Sequence, residues 1–364
     1  MNKLHDLSRQ GQAAWFDYIR RSFLTSGELA GWVEKGIRGV TSNPAIFEKA
    51  IAGTDDYDAD IKQLTAAGRS VAEIYEDLAL ADIRQAADIL RPVYDATRGA
   101  DGYVSLEVDP ELAHDTEQTV VEAKRLFSAL ARPNVMIKIP ATAAGVPAVE
   151  EAISQGVNVN VTLIFSLSHY EAVARAYVRG LERLQAAGKD PSGIASVASF
   201  FVSRVDTAVD DKLSKLGHKE LQGKIAIDNA RLAYARFLEI FSGDRWEKLF
   251  RAGARVQRPL WASTGTKNPA YDDTLYVDTL IGPDTVNTMP PATLNAFLDH
   301  GKAALTVGDD IEGARARMAA LAELNIDLAT VTERLQEEGV VSFANAFKAL
   351  TKSIFEKRQR FAAL

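Results

Sequence analysis

Asn134-Val135-Met136-Ile137-Lys138-Ile139-Pro140 is a short apolar run interrupted by one lysine. Its length and apolar content mark a buried strand, and a helix-length segment follows it. The same alternation recurs in both directions along the chain. Strand candidates lie at 13–17, 37–42, 102–108, 134–140, 157–165, 194–202, 258–263 and 274–281. Helical signals separate them. Asp109-Pro110 reads as an N-cap followed by proline at the first helical position. Ser168-His169-Tyr170-Glu171 reads as a capping box, opening a helix with Val173, Tyr177, Leu181 and Leu184 on one face. A last helix near 342–361 carries Phe343, Phe347, Leu350 and Ile354 as an apolar stripe, and helices near 291–340 look like additions to the repeating pattern. Eight βα units predict an α/β fold, a (β/α)8 TIM barrel with additional helices including a C-terminal one. No linker or low-complexity segment divides the chain, so residues 1–364 are expected to form a single barrel domain.

Composition excludes several chemistries. The chain has 364 residues, 47% hydrophobic, and no cysteine, which removes thiolate catalysis, disulfides and cysteine-bound metals and permits a cytoplasmic location. No apolar run approaches a membrane span, and the N-terminal residues lack the apolar core of an export signal. A net charge of -7 disfavours nucleic acid and anionic membranes as partners. It also repels phosphorylated metabolites, so binding one requires a local basic pocket. The five histidines are scattered without metal-ligand spacing, and no metal is expected. Neither a phosphate-binding P-loop nor a dinucleotide fingerprint follows any strand, and Trp-Ala-Ser263-Thr-Gly lacks the first glycine of a nucleophile elbow. A homo-oligomer remains open.

In a barrel of this kind, chemistry sits where strands end. A lysine inside an apolar strand either snorkels to water or is desolvated, and desolvation favours the neutral amine that attacks carbonyls. Glu107 lies near the end of Gly102–Asp109. Asn158, Asn160 and Thr162 share one face of their strand by the two-residue period, either as a satisfied polar layer or as a wall that binds hydroxyls. Asn43 in Thr-Ser-Asn-Pro suits a turn or a ligand, and Asp17 closes the first strand, where a helix cap is the plain alternative. Arg204 and Lys267 follow the sixth and seventh strands; each is a surface ion pair or an anion ligand. Together these strand ends suit a small, hydroxylated, anionic ligand.

Five segments, GVTSNPAIF, SLEVDPEL, NVMIKIPATAAG, NVNVTLIFS and ASFFVSRVD, resemble the transaldolase family in sequence and in order over residues 39–207, and WASTGTKNP extends the likeness to about 269. The overall length is similar to that of the longer bacterial members. The resemblance implies a cofactor-free class I aldolase barrel that moves a dihydroxyacetone unit from sedoheptulose 7-phosphate to glyceraldehyde 3-phosphate in the pentose phosphate pathway. It implies Lys138 as the Schiff-base nucleophile and Glu107 as acid/base through a water held by Thr162. Asp17 would act on the hydroxyl whose deprotonation drives carbon–carbon cleavage. Asn43 and Asn160 would bind donor hydroxyls, Ser199 and Phe201 the dihydroxyacetone moiety, and Arg204 and Ser263 the phosphate. The family commonly has a basic residue where this chain has Gly265, which leaves Lys267 as the substitute. Fructose-6-phosphate aldolases of the same fold typically carry glutamine and tyrosine at the positions of Glu107 and Phe201, so those two residues favour a transferase. A non-catalytic sugar-phosphate-binding barrel is the third reading, and the retained lysine and carboxylate speak against it.

Overall fold

A computed structural model describes residues 2–362; Met1 and residues 363 and 364 lie outside it. Eight parallel strands close into a barrel in chain order. They are β1 (Gln12–Phe16), β2 (Gly39–Val40), β3 (Tyr103–Glu107), β4 (Val135–Pro140), β5 (Val159–Ile164), β6 (Ser196–Phe201), β7 (Arg258–Ala262) and β8 (Thr285–Met289). β1 pairs with β8 to complete the ring. The (β/α)8 architecture expected from the alternation is present, as is the long C-terminal helix.

Seven strand candidates coincide with observed strands and the eighth does not. The apolar run 274–281 holds a short helix, Leu275–Asp278, and β8 begins at Thr285. The true strand was obscured because three of its five buried residues, Thr285, Asn287 and Thr288, are polar. Thr264 Oγ1 donates to Asn287 Oδ1 at 2.9 Å, and Thr41 Oγ1 lies 2.6 Å from Thr288 Oγ1. The run 274–281 is apolar because it packs outside the barrel, with Tyr276 and Val277 buried.

Other local expectations shift by a few residues. Ser166, not Ser168, caps helix Leu167–Ala186 by accepting from the His169 amide at 3.1 Å, and Ser168 bonds to the Ser166 hydroxyl instead. Asp109-Pro110 opens only a 3-10 turn; the following helix, Thr116–Leu130, is capped by Asp115. Helix Pro291–His300 follows β8 directly and so belongs to the repeating pattern rather than to the additions. The last helix starts far earlier than 342, at Leu328, and runs to Ala362. It packs on helices Pro44–Ala52, Asp58–Ala66, Val71–Ala96 and Ser203–Leu216.

Two features shape the barrel interior. Gly39 pairs with Trp15, and a Cβ on Gly39 would sit 2.5 Å from the indole ring; only glycine lets that ring cross the short β2. β5 carries an irregularity between Val161 and Ile164, where Leu163 adopts φ of 59°. A leucine in that region is strained and persists only where its surroundings hold it. The bulge turns the chain immediately after Thr162.

Candidate active site

Register places the reactive groups side by side. Glu107 pairs with Lys138 across β3 and β4, and Lys138 pairs with Asn160 across β4 and β5. Lys138 is 5% exposed, so it does not reach bulk water as a snorkelling strand-end lysine would. Its ammonium donates to Glu107 Oε2 at 3.3 Å and to the Ser42 carbonyl at 3.1 Å. Burial pushes the Glu107 carboxyl above its ordinary range, against the opposing pull of Lys138. Asp17 is raised for the same reason, with the Thr41 hydrogen bond and Lys138 pulling it down. Two carboxylates and one ammonium thus share a site largely removed from water. That arrangement tunes carboxylates toward neutral pH.

Asp17 is fixed rather than capping. Its backbone amide donates to the Met289 carbonyl at 2.9 Å, and Thr41 Oγ1 donates to Asp17 Oδ1 at 2.6 Å. Asn43 does cap helix Pro44–Ala52, accepting from the Ile46 amide at 3.0 Å, and it also lines the cavity beside Lys138. The turn and ligand readings of Asn43 are therefore compatible. The three polar residues of 157–165 have separate placements. Asn158 ties the closed end of the barrel through Pro133, Val135 and Ala195. Asn160 is fully buried, donating to Ser105 Oγ at 3.0 Å and accepting from Ser199 Oγ at 2.7 Å. Thr162 faces the cavity, and its buried Oγ1 has no partner among the described residues. A buried hydroxyl without a protein partner calls for water or ligand.

The cavity holds about 200 Å³ and is lined by Asp17, Asn43, Lys138, Thr162, Ser199 and Phe201. Arg204, Ser263 and Lys267 line it as well. Glu107 reaches the site through Lys138, and Asn160 lies one layer below, behind Ser199. Arg204 sits in the first turn of helix Ser203–Leu216, with its guanidinium 5.3 Å from the Phe201 ring centroid. Neither Arg204 nor Lys267 has a carboxylate within 4.0 Å among the described residues, which sets aside the surface ion-pair alternative for both. Ser263 adopts φ of 55° and its hydroxyl lies 3.0 Å from that of Ser203. Gly265 clarifies Lys267. A Cβ there would lie 3.9 Å from Lys267 Nζ, so the ammonium folds back over the glycine.

Sequence reasoning missed Thr41, Thr288 and Phe343, all of which line the cavity. Thr41 stood in a quoted motif. Thr288 lay in an unrecognised strand, and Phe343 was read only as part of an apolar stripe. On the surface, exposed Asp272, Asp273 and His300 come together, a grouping accounted for by the His300–Asp273 ion pair.

Comparison with known proteins gives concordant matches. The family model described as transaldolase/fructose-6-phosphate aldolase matches residues 14–354. A transaldolase of Parafrankia sp. is 53% identical, over 97% of this chain and 97% of its own. One from Thermobifida fusca is 52% identical over 97% and 98%, and transaldolase 2 of Nostoc punctiforme 50% over 98% and 97%.

Proposed function

This chain belongs to the transaldolase/fructose-6-phosphate aldolase family and is a transaldolase-type enzyme; from that premise we propose that Lys138 carries a dihydroxyacetone unit between sugar phosphates. The observation that carries the reading is one cavity lined by Asp17, the buried Lys138, Arg204 and Lys267, with Glu107 accepting from the lysine at 3.3 Å. Lys138 Nζ attacks the ketose carbonyl, and loss of water leaves a protonated imine. Asp17 takes the proton of the donor's hydroxyl. The adjacent carbon–carbon bond then breaks, its electron pair enters the imine, and an aldose phosphate departs. The enamine remaining on Lys138 attacks the incoming aldehyde, and hydrolysis frees the product. Splitting the transfer into two covalent halves is nucleophilic catalysis, and the imine itself serves as the electron sink, so no cofactor or metal is called for.

Glu107 moves protons during imine formation and hydrolysis through a water on the unsatisfied Thr162 hydroxyl. Asn43 and Ser199 contact donor hydroxyls. Asn160 acts from beneath, fixing Ser199. Phe201 walls the dihydroxyacetone moiety, and Arg204, Lys267 and Ser263 hold phosphate. Sedoheptulose 7-phosphate as donor and glyceraldehyde 3-phosphate as acceptor fit the pentose phosphate pathway and a cytoplasmic, non-nucleic-acid-binding enzyme. Among the described residues no helix is long and apolar enough to cross a membrane. The chain from residue 1 to 364 works as one unit, with self-association open.

Two measurements test this. Incubation with fructose 6-phosphate and borohydride should place a three-carbon adduct on the peptide containing Lys138. An adduct on Lys267 instead would sink the assignment. Acceptor-dependent conversion of sedoheptulose 7-phosphate, with little free dihydroxyacetone in the absence of aldehyde, distinguishes the transferase from an aldolase.

A further inference from the structure

The C-terminal helix Leu328–Ala362 crosses the open end of the barrel and presents Gln336, Gly339 and Phe343 to it. These positions are three and seven residues apart, one face of a helix. Gln336 is 6% exposed, and its amide donates to the Ala141 carbonyl at 3.0 Å and the Leu163 carbonyl at 2.9 Å. Ala141 directly follows the lysine strand, and Leu163 is the strained residue after Thr162. One side chain therefore fastens the helix to both strands that carry the reactive groups. At Gly339 the helix backbone comes so near that a Cβ would lie 2.8 Å from Leu163 Cδ2. One turn further, the Phe343 ring centroid lies 5.5 Å from Lys138 Nζ, and the ring lines the cavity.

We propose that Phe343 is a functional residue of the lysine site, its ring face stabilising the positive charge on Nζ of the protonated imine, and that Gln336 is the positioning residue that sets the ring there. The inference rests on the Lys138 reading above. An aromatic face attracts a cation through its quadrupole, most strongly where water is excluded. The nitrogen is cationic in the imine and neutral in the enamine, so the ring favours the state in which the carbon–carbon bond becomes breakable. Gln336 acts at a distance, by holding helix, β4 and β5 in one register.

Phe343→Leu keeps an apolar side chain and removes the π face. The expected result is a kcat lowered roughly threefold to thirtyfold, the span from an exposed to a desolvated cation–π contact. KM should move far less. The borohydride-trapped fraction at steady state with fructose 6-phosphate should fall, and Phe343→Tyr should recover most of both. Gln336→Leu should lower kcat similarly but lower the thermal midpoint more than Phe343→Leu does, because it leaves two buried carbonyls without their donor. Equal kcat and equal trapping in wild type and Phe343→Leu would overturn this inference alone. So would a loss of kcat that Phe343→Tyr fails to recover and that tracks a lowered Tm. No adduct on Lys138 in the wild-type protein would overturn the parent reading, and this one with it.

Discussion

A lysine and a glutamate 3.3 Å apart inside a barrel are informative because each alone would be costly. Their pairing reduces the cost of burial without cancelling it, and Glu107 remains above its ordinary pKa. A carboxyl so placed gives and takes protons nearer neutral pH than a surface glutamate does. The acid limb of kcat/KM should therefore lie above the ordinary glutamate range, because protonated Glu107 cannot act as base. Glu107→Gln should abolish that limb and lower kcat by about 10²–10⁴-fold, the usual share of a general acid/base. A pH–rate profile on both proteins checks this; an acid limb that survives in the glutamine variant would assign it to another group. At this scale the sequence was legible where a polar residue interrupted an apolar run, as at Lys138. It was less legible where neighbouring polar residues do different jobs: nothing in Val-Asn-Val-Asn-Val-Thr separates a structural Asn160 from a cavity-facing Thr162.

Elements were readable in proportion to how their burial is achieved. Strands packed in apolar surroundings announced themselves, whereas β8 buries the polar Thr285, Asn287 and Thr288, each with a side-chain hydrogen bond to a neighbouring strand or loop. The C-terminal helix was visible as a stripe but not as part of the site, because a phenylalanine facing a lysine has the same periodicity as one facing leucines. The loop after β7 and the helix after β6 act as a pair. Two hydrogen bonds tie them: Tyr271 donates to Asp210 at 2.6 Å and Tyr276 to Asp206 at 2.8 Å. Lys267 and Arg204 ride on these two segments, so the phosphate of the proposed substrate would meet a fork and a point charge together. In the proposed reaction the phosphate is remote from the breaking bond, so its contacts should hold ground and transition states alike. Arg204→Ala should cost about 2–4 kcal/mol in kcat/KM, mainly through KM, and Lys267→Ala roughly 1–2 kcal/mol. Steady-state kinetics with dihydroxyacetone and glyceraldehyde supply the control. If Arg204→Ala harms that unphosphorylated pair equally, the residue is not a phosphate ligand.

Across the whole molecule the net charge of -7 opposes an anionic substrate, whereas Arg204 and Lys267, neither with a carboxylate within 4.0 Å among the described residues, line the cavity. The same acidity has a consequence for stability. Asp206 is 1% exposed and accepts from the Ala226 amide at 2.7 Å and from Tyr276. Burial raises its pKa to about 7, with Asp210 and Asp228 adding repulsion and the two hydrogen bonds opposing it. Between the unfolded value near 3.8 and about 7, the native protein therefore holds a proton that the unfolded chain has lost. A native state that binds more protons loses stability as pH rises. The loss begins above the unfolded value and is complete above the folded one, with a ceiling of about 4 kcal/mol for a shift of this size. Glu107 and Asp17, also raised, act in the same direction. Asp206→Asn can keep both contacts, accepting from Ala226 and donating to the Tyr276 oxygen, while removing the ionisation. The substitution should change Tm little at pH 5 and raise it relative to wild type at pH 8. Thermal melts of both proteins at the two pH values isolate this carboxyl, since Glu107 and Asp17 are common to both. A Tm difference that is the same at pH 5 and pH 8 would show that Asp206 does not titrate in this window.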